Sequence, residues 1–147
     1  MNQEVQFEYS RKLIRYGILL LLLGLITGFL IPVLKNPRLG LSSHLEGVLN
    51  GLLLIVFGLI WSKLAMTDKL YKWSFMLALF GTYTNWLTTL LAGFWGAGSE
   101  LMPIAGESMQ GTPWQEMIIK FGLISLSISM VSVCVIMLWG LRGKQKE

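Results

Sequence analysis

The sequence predicts an all-α membrane protein, a bundle of four transmembrane helices, and three observations carry that expectation. More than half of the 147 residues are apolar (54%), and the mean hydropathy is +0.62. Apolar runs of bilayer-crossing length, about 20 residues each, recur along the chain. None of them alternates with a period of two, and only helices or closed barrels can satisfy their backbone groups in lipid, so the runs read as helices.

The spans fall at about residues 14–34, 44–64, 73–94 and 117–141, within one domain covering residues 1–147. The first ends near Pro32 and the turn-forming Lys35-Asn36-Pro37-Arg38. The second starts at His44, with Ser42 or Ser43 as its N-cap. The third follows Lys69 and Lys72, and the fourth runs into the polar tail that begins at Arg142. Between the third and fourth lies an outer loop, residues 95–116, longer than an ordinary helix–helix connection. Met102, Pro103, Ile104 and Trp114 give it apolar anchors, so a packed lid is expected rather than a disordered linker.

Orientation follows from the basic residues. Arg11, Lys12 and Arg15 precede the first span, Lys63, Lys69 and Lys72 join the second and third, and Arg142, Lys144 and Lys146 follow the fourth. The other side has Lys35, Arg38 and Lys120. The positive-inside rule then puts both termini in the cytoplasm and the outer loop on the far side. The net charge of +4 sits at helix ends, which suits a lipid bilayer and argues against nucleic acid as a partner. The single Cys134 excludes an intrachain disulfide framework. No cleavable signal peptide is apparent, because the first apolar stretch is too long and lacks a convincing small-residue cleavage site.

His44, the only histidine, opens the richest stretch of the chain: Ser42-Ser43-His44-Leu45-Glu46-Gly47-Val48-Leu49-Asn50-Gly51. Ionisable groups at membrane depth are costly unless paired or used, so they are functional candidates by default. Glu46 and Asn50, at i and i+4, share one helix face, while His44, Gly47, Gly51 and Gly58 lie on an adjoining stripe. Gly47-x-x-x-Gly51 admits the close approach of another backbone or of a flat ligand. Gly24-x-x-x-Gly28 on the first span reads as helix packing. On the third span Thr82, Asn85 and Thr89 form a polar stripe with Tyr83 beside it, which serves either a substrate pocket or interhelical hydrogen bonding.

A lone histidine at an interface is usually a wet, hydrogen-bonded side chain. Zinc is disfavoured, since its sites want three or four ligands. Haem needs one strong axial ligand, and imidazole is the usual one. With one histidine per chain, a bis-histidine haem within a subunit is impossible, and an open sixth position would make a binding or catalytic site.

The string Asn36-Pro37-Arg38-Leu39-Gly40-Leu41-Ser42-Ser43-His44-Leu45-Glu46-Gly47-Val48-Leu49-Asn50-Gly51 resembles the hydroxylaminobenzene mutases and their relatives the styrene oxide isomerases, and looks like the mutase version. So do Tyr83-Thr84-Asn85-Trp86-Leu87, Phe94-Trp95-Gly96-Ala97-Gly98 and Met102-Pro103-Ile104. The resemblance covers essentially the whole chain. It implies a homotrimer in a bacterial inner (cytoplasmic) membrane, with haem b near subunit interfaces. The histidine matching His44 is the axial ligand of the iron, the asparagine matching Asn50 lies at the substrate, and the ferric iron acts as a Lewis acid with no net redox. The active-site tyrosine of the epoxide isomerases falls at Thr89 here, and Glu46 replaces a glycine of that branch.

The expected reaction is therefore rearrangement of an aryl hydroxylamine to an aminophenol. His44 is expected as the iron ligand, with Gly47 and Gly51 at the cofactor. Asn50, Asn85 and Thr89 are expected at the reacting group, and Glu46 as a general base or a purely structural acceptor. Tyr83, Trp95 and Met102 are expected to wall the pocket for a small aromatic substrate. Rival readings are an epoxide isomerase producing an aldehyde at the same haem, an electron-transfer subunit sharing a haem between two chains, and, last, a small transporter.

Overall fold

The computed structural model describes residues 3–142; Lys144 and Lys146, used above for orientation, lie outside the described residues. Four long helices and one short one make up the described chain: α1 (Gln3–Leu30), α2 (Pro37–Ile60), α3 (Asp68–Trp95), α4 (Pro103–Gly106) and α5 (Pro113–Gly140). No strand occurs among the described residues. Single 3-10 turns, Ile31–Val33 and Trp61–Lys63, close α1 and α2. Three stretches are long and apolar enough to cross a membrane: Gln3–Val33, Pro37–Lys63 and Pro113–Gly140. Helix α3 does not reach that hydropathy. Its Thr82, Thr88 and Thr89 are buried inside the bundle, so it is the polar member of the set.

Each helix boundary has a local cause. The second helix begins two turns before His44, not at it. Asn36 is the N-cap, its side-chain oxygen accepting from the Arg38 and Leu39 amides at 3.0 and 3.1 Å, and Pro37 takes the first helical position, where no N–H is needed. The expected cap at Ser42 or Ser43 is thereby corrected: Ser42 Oγ donates to the Arg38 carbonyl inside the helix, and Ser43 Oγ donates across to Trp86 O. Thr67 caps α3, and Thr112 and Gln115 form a capping box on α5. Gly96, with φ 63°, ends α3 in the left-handed conformation that glycine adopts without strain.

Packing joins neighbours in sequence. Helix α2 lies between α1 and α3, and α5 packs on α3. The α1–α2 seam is built from glycines. A Cβ on Gly47 would stand 2.4 Å from the Gly24 Cα, and one on Gly51 would stand 2.6 Å from the Leu21 amide nitrogen. The two backbones are therefore in contact, the close approach that small residues permit in membrane bundles. Two apolar clusters bracket the middle of the molecule. One gathers Leu13, Leu20, Leu54, Phe57, Trp61 and Phe75, and the other gathers Leu39, Ala92, Ala97 and Ile119 beneath the outer loop.

The outer loop is tied down at several points. Glu116 accepts from the amides of Gly98 (2.9 Å) and Gly111 (2.7 Å), closing the loop on itself. Asn36 Nδ2 donates to Ala105 O at 3.0 Å, Lys35 Nζ donates to Trp95 O at 3.0 Å, and Arg38 meets Glu107 at 3.1 Å. Trp95 and Trp114 stack edge to face, 5.0 Å apart. Replacing Gly47 by Ala should lower stability by about 1–3 kcal/mol, the usual cost of overpacking. Thermal unfolding in detergent measures this, with Leu45→Ala on the outward-facing side of α2 as the variant expected to change little.

Candidate functional site

Between the two apolar clusters α1, α2 and α3 place their polar side chains. His44 Nδ1 lies 2.8 Å from the carbonyl oxygen of Gly24 on α1. A carbonyl only accepts, so Nδ1 carries the ring proton and Nε2 is the basic nitrogen. The imidazole also lies against Gly28, where a Cβ would come within 3.0 Å of Nδ1.

One helix face away, Glu46 points to α3. Its Oε2 accepts from Asn50 Nδ2 at 3.1 Å and from Asn85 Nδ2 at 2.5 Å. Glu46 and Asn50 come together because they are one turn apart on α2, and Asn85 closes the group from α3. Buried amides and carboxylates are costly without partners, and here each supplies the other's. The amide oxygens of both asparagines remain as acceptors, beside a carboxylate that takes protons. Such a trio can orient an N–OH or O–H group and receive a proton from it.

Three further side chains brace this layer. Trp86 Nε1 donates to Thr27 Oγ1 at 3.0 Å, Thr27 Oγ1 donates to Leu23 O at 2.8 Å, and Ser43 Oγ donates to Trp86 O at 3.0 Å. Sequence reasoning missed Thr27, Ser43 and Trp86, and it read Gly24-x-x-x-Gly28 as packing alone. The spacing of that motif was visible, whereas the side chain it faces was not.

The remaining expected residues are placed as follows. Gly47 and Gly51 have α1 backbone over them, so of the two neighbours the sequence left open the structure has the helix. Thr89 Oγ1 donates to Asn85 O and Trp86 O of its own helix, and Thr82 likewise bonds Ala78 O and Leu79 O. Of the α3 stripe, only Asn85 reaches another helix through its side chain. Within one subunit Tyr83 lies apart from Trp95 and Met102. Tyr83 OH donates to Tyr16 O at 2.8 Å and lines an apolar groove with Tyr16, Leu19, Met76, Leu79 and Phe80. Trp95 and Met102 pack into the cluster beneath the outer loop. Their separation follows from helix phase: Tyr83 lies on the α1-facing side of α3, and Trp95 is more than three turns further along.

Among the described residues no group of three or more His, Cys, Asp or Glu side chains could hold a metal ion. What the chain offers a metal centre here is one imidazole, that of His44, with Nδ1 taken by the Gly24 carbonyl and Nε2 left as the nitrogen with a lone pair.

Comparison with known proteins identifies the lineage. A family model described as styrene oxide isomerase matches residues 9–142. The chain belongs to this family. It is 58% identical over 134 residues to hydroxylaminobenzene mutase HabB of Ectopseudomonas oleovorans, covering 91% of this chain and 82% of that protein. It is 46% identical over 125 residues to hydroxylaminobenzene mutase HabA of the same organism, covering 85% and 93%. No solved structure matches the chain. The family member described here is a membrane-embedded enzyme of the isomerase class.

Glu46→Leu should leave the amides of Asn50 and Asn85 without their acceptor and cost about 1–3 kcal/mol. Glu46→Gln keeps an acceptor oxygen and should cost less, a difference that unfolding in detergent would resolve.

Proposed function

We propose that the enzyme rearranges an aryl hydroxylamine to an aminophenol, as a homotrimer of four-span subunits in a bacterial inner membrane with both termini cytoplasmic. The observation that carries the reaction is the Glu46 carboxylate held between the amides of Asn50 and Asn85, in a chain 58% identical to a hydroxylaminobenzene mutase. Helix α3 is the third of the four spans in this reading, joining the three more apolar helices and crossing with its polar residues turned inward. The Lys and Arg distribution sets the orientation.

His44 is the residue to hold a ferric haem b through Nε2, because Nδ1 is committed to the Gly24 carbonyl. Metal-bound histidines commonly have this arrangement. When bound, the haem supplies Lewis-acid polarisation of the N–O bond, worth several kcal/mol of charge stabilisation. The chain's own residues do the rest. Asn50 and Asn85 orient the N–OH group through their free amide oxygens. Glu46 receives the proton that leaves the ortho carbon. The balance is that of an isomerisation: the N–O bond breaks, a C–O bond forms at the ortho carbon, the ring proton is lost and the nitrogen gains one. No external electron source enters. The aryl ring is an apolar body that reaches these groups from the bilayer.

The epoxide reading is weaker because the position of the family's tyrosine carries Thr89, whose hydroxyl is spent on its own helix. Supplying an aryl hydroxylamine and an aryl epoxide to one preparation separates the two. An aminophenol product supports the mutase, and an aldehyde as main product overturns it.

His44→Ala should abolish both the Soret band of the purified protein and turnover. Full turnover by a haem-free variant would sink the scheme. Glu46→Gln should slow the rearrangement by about 100-fold or more, within the usual contribution of general acid–base catalysis, with haem content unchanged. Unchanged turnover would make Glu46 a structural acceptor.

A further inference from the structure

We propose that Gly24 and Gly28 of α1 are positioning residues for His44: they hold its imidazole in the Nδ1–H tautomer, so that Nε2 is the imidazole nitrogen offered to a metal centre. The metal part of this rests on the haem reading above; the tautomer part does not.

The two glycines lie one turn apart on one face of α1 and act differently. Gly24 supplies the acceptor. Its carbonyl oxygen is 2.8 Å from His44 Nδ1. Its lack of a side chain lets α1 come close enough to offer that oxygen, since a Cβ there would stand 2.6 Å from the Val48 nitrogen and 2.7 Å from the Gly47 carbonyl carbon. Gly28 supplies the space. A Cβ there would meet Nδ1 at 3.0 Å, Cε1 at 3.3 Å and Cγ at 3.7 Å. A methyl group at position 28 would thus press on the same edge of the ring that bonds Gly24. The ring would have to move by a few tenths of an ångström, and the Nδ1 bond lies along that movement. Among the described residues the imidazole makes no other hydrogen bond, so this bond alone sets its tautomer.

The chemistry follows from which nitrogen holds the proton. Donation from Nδ1–H to a carbonyl leaves the Nε2 lone pair free and fixes the ring's orientation. A free imidazole can place its proton on either nitrogen, and with the proton on Nε2 the ring offers no lone pair on that side.

The test uses the fact that His44 is the only histidine of the chain. Protein labelled with 15N-histidine and carried on a histidine-free affinity tag gives a single imidazole spectrum, first haem-free and then haem-loaded. Wild-type protein should show a protonated Nδ1 without haem. Gly28→Ala should lose that tautomer preference and retain haem 10- to 100-fold less tightly, the usual cost of disturbing such a partner. Where the loss falls tenfold more on ferric than on ferrous haem, the midpoint potential rises by about 59 mV. Gly58→Ala is the control. It inserts the same methyl into the same seam, 2.7 Å from Ile14 Cγ1 and 2.9 Å from Ser10 O, far from His44. It should keep both the tautomer and the potential. A wild-type Nε2–H tautomer would overturn the proposal, with or without haem. So would equal spectral and redox shifts in Gly28→Ala and Gly58→Ala, which would mark a general effect of the seam. A protonated Nδ1 in a protein that takes up no haem would uphold the positioning role and dismiss the haem reading.

Discussion

Backbone contact between α1 and α2 sets the rotation of α2, and the polar side chains depend on that rotation. With Gly24 against Gly47 and Gly17 near Gly51, the glycine stripe of α2 must face α1. His44, on that stripe, then meets the Gly24 carbonyl, while Glu46, two residues on, is carried round to α3 and Asn85. Leu41, Leu45, Leu49, Leu52, Val56 and Leu59 are left on the outward side, where lipid or another subunit can cover them. Turning α2 about its axis would expose the carboxylate and bury leucine where amides wait. Each polar group is therefore held in place by the cost of any other arrangement.

The apolar clusters above and below reinforce this. Trp61, Leu54 and Leu13 fill the cytoplasmic half in the proposed orientation, and Leu39, Ala92 and Ile119 fill the outer half. The first cluster draws on α1, α2, α3 and α5 and the second on α2, α3 and α5, so α2 and α3 are held in register at both ends of the polar layer. The outer loop adds to it by bonding the residues that begin α2, through Asn36 and Arg38. The Arg38–Glu107 pair is exposed and contributes little by itself. The bonds from Asn36 and to Glu116 are the more consequential, because they satisfy backbone groups and a buried side chain.

Helix content and the main polar residues could be read from the sequence, because long apolar runs and isolated ionisable groups need no knowledge of neighbours. The pairing of Glu46 with Asn50 was likewise a matter of helical spacing. What could not be read depends on which helix each face meets. The sequence reads as a turn at Asn36-Pro37, although the same dipeptide is a strong helix start, and with α2 beginning there His44 lies in its interior and not at its mouth. Gly24 and Gly28 looked like ordinary packing because the imidazole they face is 20 residues from Gly24 in sequence. Tyr83, Trp95 and Met102 are expected around one substrate, and within a subunit the fold places Tyr83 toward α1 and the other two beneath the outer loop. The hydropathy of α3 fell short because a helix enclosed by others can carry threonines that a lipid-facing one would not.

The order of packing has a consequence for how such a chain is made. Helix α2 rests on α1, α3 on α2, and α5 on α3, with only minor contact between α1 and α3. Every principal interface thus joins neighbours in the sequence of the four long helices. Topologies of this local kind close short loops first and fold fast. Each long helix can dock on the one before it, and the contacts of His44 with Gly24 and Gly28 need only α1 and α2.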